Sequence, residues 1–224
     1  MRNQIILWLD FPMQTATEYL AKTESAVRRL FDGIDFYLGL LRTTVRPVFV
    51  TSEPFGPAQD AEFEAWRIAN AESLAAARQA EEEFIAESFT LDTLSGAVLQ
   101  VAEKALELYG KSVSIPPEWR SVAKPVKAKF CCGRLVRTVP LGLVIHAARN
   151  QHAHFNERPL REPNATVFER LATAHGYPTP EPVRDPAFDL SNPSLSSFAT
   201  NITSLIRWRT YDQYAIDMRA LLEI

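Results

Sequence analysis

The segment HAARNQHAHFNE, residues 146–157, holds the densest set of reactive side chains in the chain. His146, Asn150 and His154 recur at four-residue spacing, which stacks them along one side of a helix. On that helix Arg149 lies about 100° from Asn150, and His154 about 140° from Arg149, so guanidinium and imidazole share a broad half of the surface. Three of the four histidines in the chain fall within nine residues. A buried face would need a partner for every one of these imidazole, amide and guanidinium groups. The pattern therefore predicts a cleft or a protomer interface, with residues 138–155 forming one helix.

These residue types suit metal-independent cleavage of an RNA strand. An arginine fixes a phosphate with a bidentate fork and stays charged. A histidine moves a proton near neutral pH. Arg149 is thus the candidate for the scissile phosphate, His154 for proton transfer, and Asn150 for orienting either one. One helix supplies only half of such a site. A symmetric dimer would bring two arginines and two histidines to one cleft, and two-fold pairing is the commonest way to obtain that.

The elements that must position this segment read as helices. Apolar residues recur at three- and four-residue spacing from about 15 to 43, 60 to 87, 91 to 109, 138 to 155 and 195 to 222. Residues 60–87 and 91–109 allow either one long helix interrupted near Ser88–Thr90 or two helices packed as a hairpin. Thr138 is the expected N-cap of the reactive helix, with Pro140 in its first turn. A shorter helix is expected from Thr166 to His175, with Thr166 and Glu169 as a capping box and Gly176 as its stop. Five prolines between 177 and 193 predict an irregular connection before the last helix. The apolar bursts Ile5–Leu9 and Val48–Val50 suit strands or extended arms lying on helices. The expectation is an all-α, single helical-bundle domain of five or more helices spanning 1–224.

Charge is unevenly placed although the sums nearly cancel, with 24 basic against 27 acidic residues and a net charge of −3. No acid occurs from Arg120 through Asn156, while Arg120, Lys124, Lys127, Lys129, Arg134, Arg137 and Arg149 are basic. Lys124, Lys127, Lys129, Arg134 and Arg137 are the candidate RNA-binding residues, a positive approach leading into the reactive helix. Seven acids against two arginines occupy 60–83. The composition excludes a wholly basic chromatin-type binder and wholesale disorder. Adjacent Cys131 and Cys132 exclude a disulfide framework and read as filler. No uncharged apolar run reaches the roughly 18 residues of a membrane span, and the start lacks a signal-peptide core. A soluble, cytoplasmic protein is expected. With no P-loop, dinucleotide fingerprint, nucleophile elbow or zinc-finger spacing, no cofactor is expected.

Arg149-Asn150-Gln151-His152-Ala153-His154 resembles the R-x4-H signature, with a polar residue directly after the arginine, of the HEPN superfamily of all-helical domains. The resemblance covers about six residues of the 224. It implies a HEPN-like fold, a metal-independent ribonuclease or RNA-binding protein, and a homodimer with facing motif helices. It also implies a setting such as a toxin–antitoxin or defence system, where an antitoxin-like protein would be a partner. Arg149 and His154 match the two motif positions and Asn150 the polar one. His146 and His152 inherit no role.

Two other readings use the same residues. His146, His152 and His154 with Glu157 offer metal-ligand types, but an H-x-H pair on a helix points its rings about 200° apart. Alternatively the segment is a catalytically inactive assembly seam, with His154 paired to Glu157 and Arg149 bridging to an acid of the 60–83 region. Trp66, Trp119 and Trp208 read as core or interface aromatics, with base stacking by Trp119 as the functional option. His175 reads as a favourable charge at a helix C-terminus.

Overall fold

The computed structural model describes residues 14–42, 46–156, 159–174 and 183–224. Among them are seven α-helices and one two-stranded antiparallel ribbon, so the all-α expectation holds. Ile5–Leu9, Glu157, His175, Gly176 and the prolines at 178, 180 and 182 lie outside the described residues. Among the described residues no helix is long and apolar enough to cross a membrane.

The first long helix, α1 (Ala16–Arg42), buries the stripe Ala16, Tyr19, Leu20, Val27, Phe31 and Ile34. Residues 46–50 run extended, and Phe49 packs against Phe63 and Trp66 of α2 (Pro57–Ala69). Val48–Val50 is thus an arm on a helix and forms no strand. The interruption expected near Ser88–Thr90 does not occur: α3 (Ala71–Tyr109) runs unbroken through it, and the break from α2 falls at Asn70. There the Asn70 side chain donates to the Trp66 carbonyl at 2.8 Å, using a side-chain bond where the ladder stops. Ser88 and Thr93 donate back to carbonyls of Ile85 and Phe89, so their hydroxyls are absorbed without breaking the helix.

The helix carrying the reactive segment is α4 (Leu141–Ala153). It starts later than its sequence suggests. Leu135–Val136 (β1) and Val139–Pro140 (β2) pair as a ribbon, so Thr138 sits in a turn and Pro140 takes the N-cap position. Every residue from Leu141 to Ala148 is buried, which makes α4 apolar all round over its first two turns. It runs antiparallel to α3. Three successive pairs mark the seam: His146 with Glu103, Arg149 with Gln100, and His152 over Gly96.

Helix α5 (Asn164–Thr173) begins two residues before Thr166, so no Thr166–Glu169 box forms. The Thr166 amide donates instead to the Glu162 carboxylate at 3.3 Å. Residues 183–193 are irregular, as the prolines require. The last expected helix is two, α6 (Ala199–Leu205) and α7 (Tyr211–Leu222). Arg207 takes a left-handed φ of 63° between them, and Thr210 caps α7 by accepting from the Gln213 amide. One apolar cluster runs from Ala16 to Leu222 through Trp119, Phe168, Phe198, Trp208 and Met218. Trp119 is fully buried with the Arg170 guanidinium over its ring at 4.4 Å, so it is a core residue and offers no face to a base.

Gly96 sets how closely α3 and α4 approach. A Cβ there would stand 2.1 Å from the Nε2 of His152, whose Nδ1 is held at 2.9 Å by the Ser197 hydroxyl. Gly96→Ala should therefore lower unfolding free energy by about 1–3 kcal/mol, the usual penalty of overpacking. The loss should shrink in a His152→Ala background. Urea melts of the four proteins in that cycle check it.

Candidate active site

On α4 the reactive residues form a relay of contacts. Arg149 donates from Nε to Gln100 Oε1 at 2.6 Å and from Nη1 to Asn150 Oδ1 at 3.0 Å. The Asn150 Nδ2 stands 3.1 Å from His146 Nε2 and 3.4 Å from its Nδ1, which places the amide over the imidazole face, and His146 Nδ1 stands 3.1 Å from Glu103 Oε1. An ionised Glu103 only accepts, so His146 carries its proton on Nδ1.

His146 and Glu103 are 4% and 6% exposed, and the imidazole stacks on Phe130 with centroids 4.2 Å apart. Burial pushes the His146 pKa below the ordinary value, helped by the nearby charges of Lys127 and Arg149 and opposed by Glu103. This keeps the ring neutral at neutral pH. Burial alone would raise Glu103. The His146 hydrogen bond, with the positive charges of Arg149 and Lys127, outweighs it and holds the carboxyl below its ordinary range. Burial also pushes the Lys127 ammonium down, against the pull of Glu103 and Glu107.

The open side of the relay is a polar cleft of about 380 Å³. Lys127, His146, Asn150 and His154 line one wall, and residues 159–162 with Asn164 line the other. Among the described residues nothing bonds the buried Oδ1 of Asn164, which leaves an acceptor beside cationic Lys127 and Arg161. His154 is not helical. It follows the last residue of α4 with φ −124° and ψ 34°, and its amide donates to the Asn150 carbonyl at 3.0 Å. His154 is exposed and reaches the cleft mouth, while His146 forms its floor.

The structure thus gathers Asn150, His154, His146 and Lys127 at one cleft and sets Arg149 directly beside it, bonded to Asn150. It does not gather the whole basic run. Lys124 is exposed, and the Lys129 ammonium donates to the Glu107 carbonyl at 2.8 Å. Arg134 and Arg137 depart from the expected open basic approach. Arg134 forms a two-pronged ion pair with Asp217 at 2.8 and 3.0 Å and donates to the Ile206 carbonyl. Arg137 pairs with Asp185 at 2.6 Å, donates to the Leu171 carbonyl, and covers the Phe188 ring. Both guanidinium groups hold the ribbon against α7 and the 185–188 segment.

Arg149 bonds Gln100 and makes no bridge to the acids of 60–83, where Glu81 pairs with Arg46. Among the described residues no group of three or more His, Cys, Asp or Glu is placed to hold a metal ion. His146 turns to Glu103 and His152 to Ser197, six residues apart along α4. Cys131 and Cys132 are free thiols that burial pushes up, Cys132 to about 11. Glu103, Gln100 and Asn164 were not singled out from sequence. Glu103 did leave one signal, a carboxylate inside the apolar stripe Leu99, Ala102, Leu106 of α3. No protein-family model, no curated protein and no solved structure matches the chain.

The site has a pH signature. His146 and His152 are both held below the ordinary histidine value of 6.5 by burial, and Glu103 is held below 4.5. In each case the unfolded chain takes up the proton first as pH falls. Stability is therefore complete above about pH 6.5, falls below it through the histidines, and falls further below about 4.5 through Glu103. The melting temperature should drop steadily from pH 7.5 to 4, and His146→Gln should flatten the upper part of that slope. A melting temperature constant between pH 7 and 5 would contradict the assignment.

Proposed function

We propose that this chain is a HEPN-like, metal-independent ribonuclease acting on single-stranded RNA. The observation that supports it best is the polar cleft at the end of α4, where His154 stands at the mouth beside Asn150, His146 and Lys127. In this reading the phosphodiester enters that cleft. Arg149 uses Nη2, which takes no part in the relay, to meet the phosphate, while Nε and Nη1 hold its orientation. The substrate's 2'-oxygen attacks phosphorus, the bond from phosphorus to the 5'-oxygen breaks, and His154 delivers the proton that the leaving oxygen needs. A second copy of His154 across a two-fold dimer takes the proton from the 2'-hydroxyl. The products are a 2',3'-cyclic phosphate and a 5'-hydroxyl, and DNA is spared because it lacks the nucleophile. Lys127, with Lys124 and Lys129 on the same short segment, supplies charge for the strand. An antitoxin-like protein partner is what the HEPN likeness implies, and a cytoplasmic setting is what the sequence pattern leads us to expect.

The specific observation favouring an inactive binding module is that His146 Nδ1 and two of the three Arg149 nitrogens are already bonded within the protein. One assay separates the two readings. Labelled single-stranded RNA incubated in EDTA should be cut by the wild type to cyclic phosphate ends. Arg149→Ala and His154→Ala should each lower the rate by about a hundredfold or more. Neutralising Lys124, Lys127 and Lys129 should mainly weaken binding and its salt dependence. Equal cleavage by wild type and His154→Ala, or none by either, would return the chain to the binding-module reading.

The dimer has its own check. Sedimentation equilibrium at tens of micromolar should give twice the 25.2 kDa chain mass. A monomer that still cleaves RNA would mean that the second proton acceptor comes from within one chain.

A further inference from the structure

His154 borders two clefts of different character. One is the polar cleft just described. The other is a cleft of about 430 Å³ walled by Phe155, Pro159, Leu160, Ala165 and Leu190, with Gln151 and Ser191 at its edges. The two share His154, Pro159 and Leu160, so a ligand seated in one continues naturally into the other. We propose that this second cleft is a nucleobase subsite, holding the base of the nucleotide whose phosphate lies in the polar cleft. The inference rests on the ribonuclease reading for the phosphate and adds how the strand is gripped.

Three observations favour a base as the occupant. The walls are aliphatic and aromatic, and Phe155 keeps 40% of its surface exposed at the end of α4, which leaves a ring for stacking. The volume lies within the roughly 300–1,000 Å³ of small-molecule sites. The edge side chains are already engaged. Gln151 donates to the Ser196 carbonyl at 2.9 Å and accepts from the Phe198 amide at 3.0 Å, and the Ser191 hydroxyl donates to Asp189 at 2.9 Å. An occupant is therefore held by stacking and apolar contact, with little hydrogen-bond reading by these side chains. A flat heterocycle tethered to an anion meets both requirements at once. The substrate must then be unpaired at this nucleotide, because a base within a duplex cannot reach a side pocket. Stacking of this kind tolerates all four bases.

The test is direct binding, which does not depend on turnover. Inorganic phosphate, the four nucleoside 3'-monophosphates and octanoate are titrated into the full chain by calorimetry, with Ala165→Phe filling the slot and Phe155→Ala removing its ring. Each nucleotide should bind at least about tenfold tighter than phosphate, the four within about tenfold of one another. Ala165→Phe should abolish that gain and leave phosphate binding unchanged. If Ala165→Phe does not fold by circular dichroism, loss of about tenfold in Phe155→Ala carries the same conclusion. Nucleotide and phosphate binding equally, a gain that survives both variants, or octanoate binding tighter than any nucleotide would overturn the subsite while leaving the polar cleft intact. Nucleotide gain without cleavage of any RNA would support the subsite and defeat the ribonuclease reading instead. No binding of any probe would defeat both.

Discussion

A carboxylate and an imidazole held 3.1 Å apart between α3 and α4 impose the main constraint on this structure. The first two turns of α4 are buried on every side, by α3, α5, α6 and the 125–130 segment. A polar group on such a helix must carry its partner in with it, since leaving it unpaired costs about 1–3 kcal/mol. Glu103 serves His146, and the bond decides much that follows. It selects the Nδ1–H tautomer and sets the imidazole face against the Asn150 amide. It also leaves a buried negative charge that Lys127 and Arg149 lie close enough to balance.

The same logic extends along the seam. Gln151 faces the backbone at 196–198, and His152 bonds the Ser197 hydroxyl and fills the space left by Gly96. The segment 196–198 thus anchors the far side of α4 just before α6 begins. Its position in turn depends on α3, where Asp92 accepts from the Thr200 hydroxyl at 2.6 Å. Polar residues at 146–152 therefore do two jobs with one set of bonds. They lock α4 in register against its neighbours, and they bring a rigid end of that helix to two clefts, with exposed His154 bordering both.

Basic residues divide along similar lines. Arg134 and Arg137 are adjacent in sequence to the lysines of 124–129 and carry the same charge, yet they are tied to Asp217 and Asp185. These ties brace the two-stranded ribbon that delivers the chain into α4. Lys127 stands at the cleft because the proline-initiated 3₁₀ turn at 125–130 stacks Phe130 under His146 and carries the lysine alongside. Charge along a sequence says how many cations a region owns. Which of them face a ligand depends on where the carboxylates of other elements come to rest.

Helical periodicity is a local property, and it made the all-α class, the apolar stripes of α1 and α3 and the polar character of 146–154 readable from residue order. The break at Asn70 and the left-handed Arg207 that splits the last helix were not readable. Periodicity continues across both, and no residue pattern at either point marks the turn. Helix-wheel geometry placed His146, Asn150 and His154 on one side, but α4 ends at Ala153 and its wheel does not extend to His154. Glu103 lies 43 residues from His146, and the walls of both clefts come from residues 159–165 and 190–191, across turns whose course no local pattern encodes. Residue types and spacing named the chemistry that α4 could perform. Burial, pairing and the shape of the space beside it came from contacts between distant segments, because the free energy of satisfying a buried polar group is set by whichever segment folds against it.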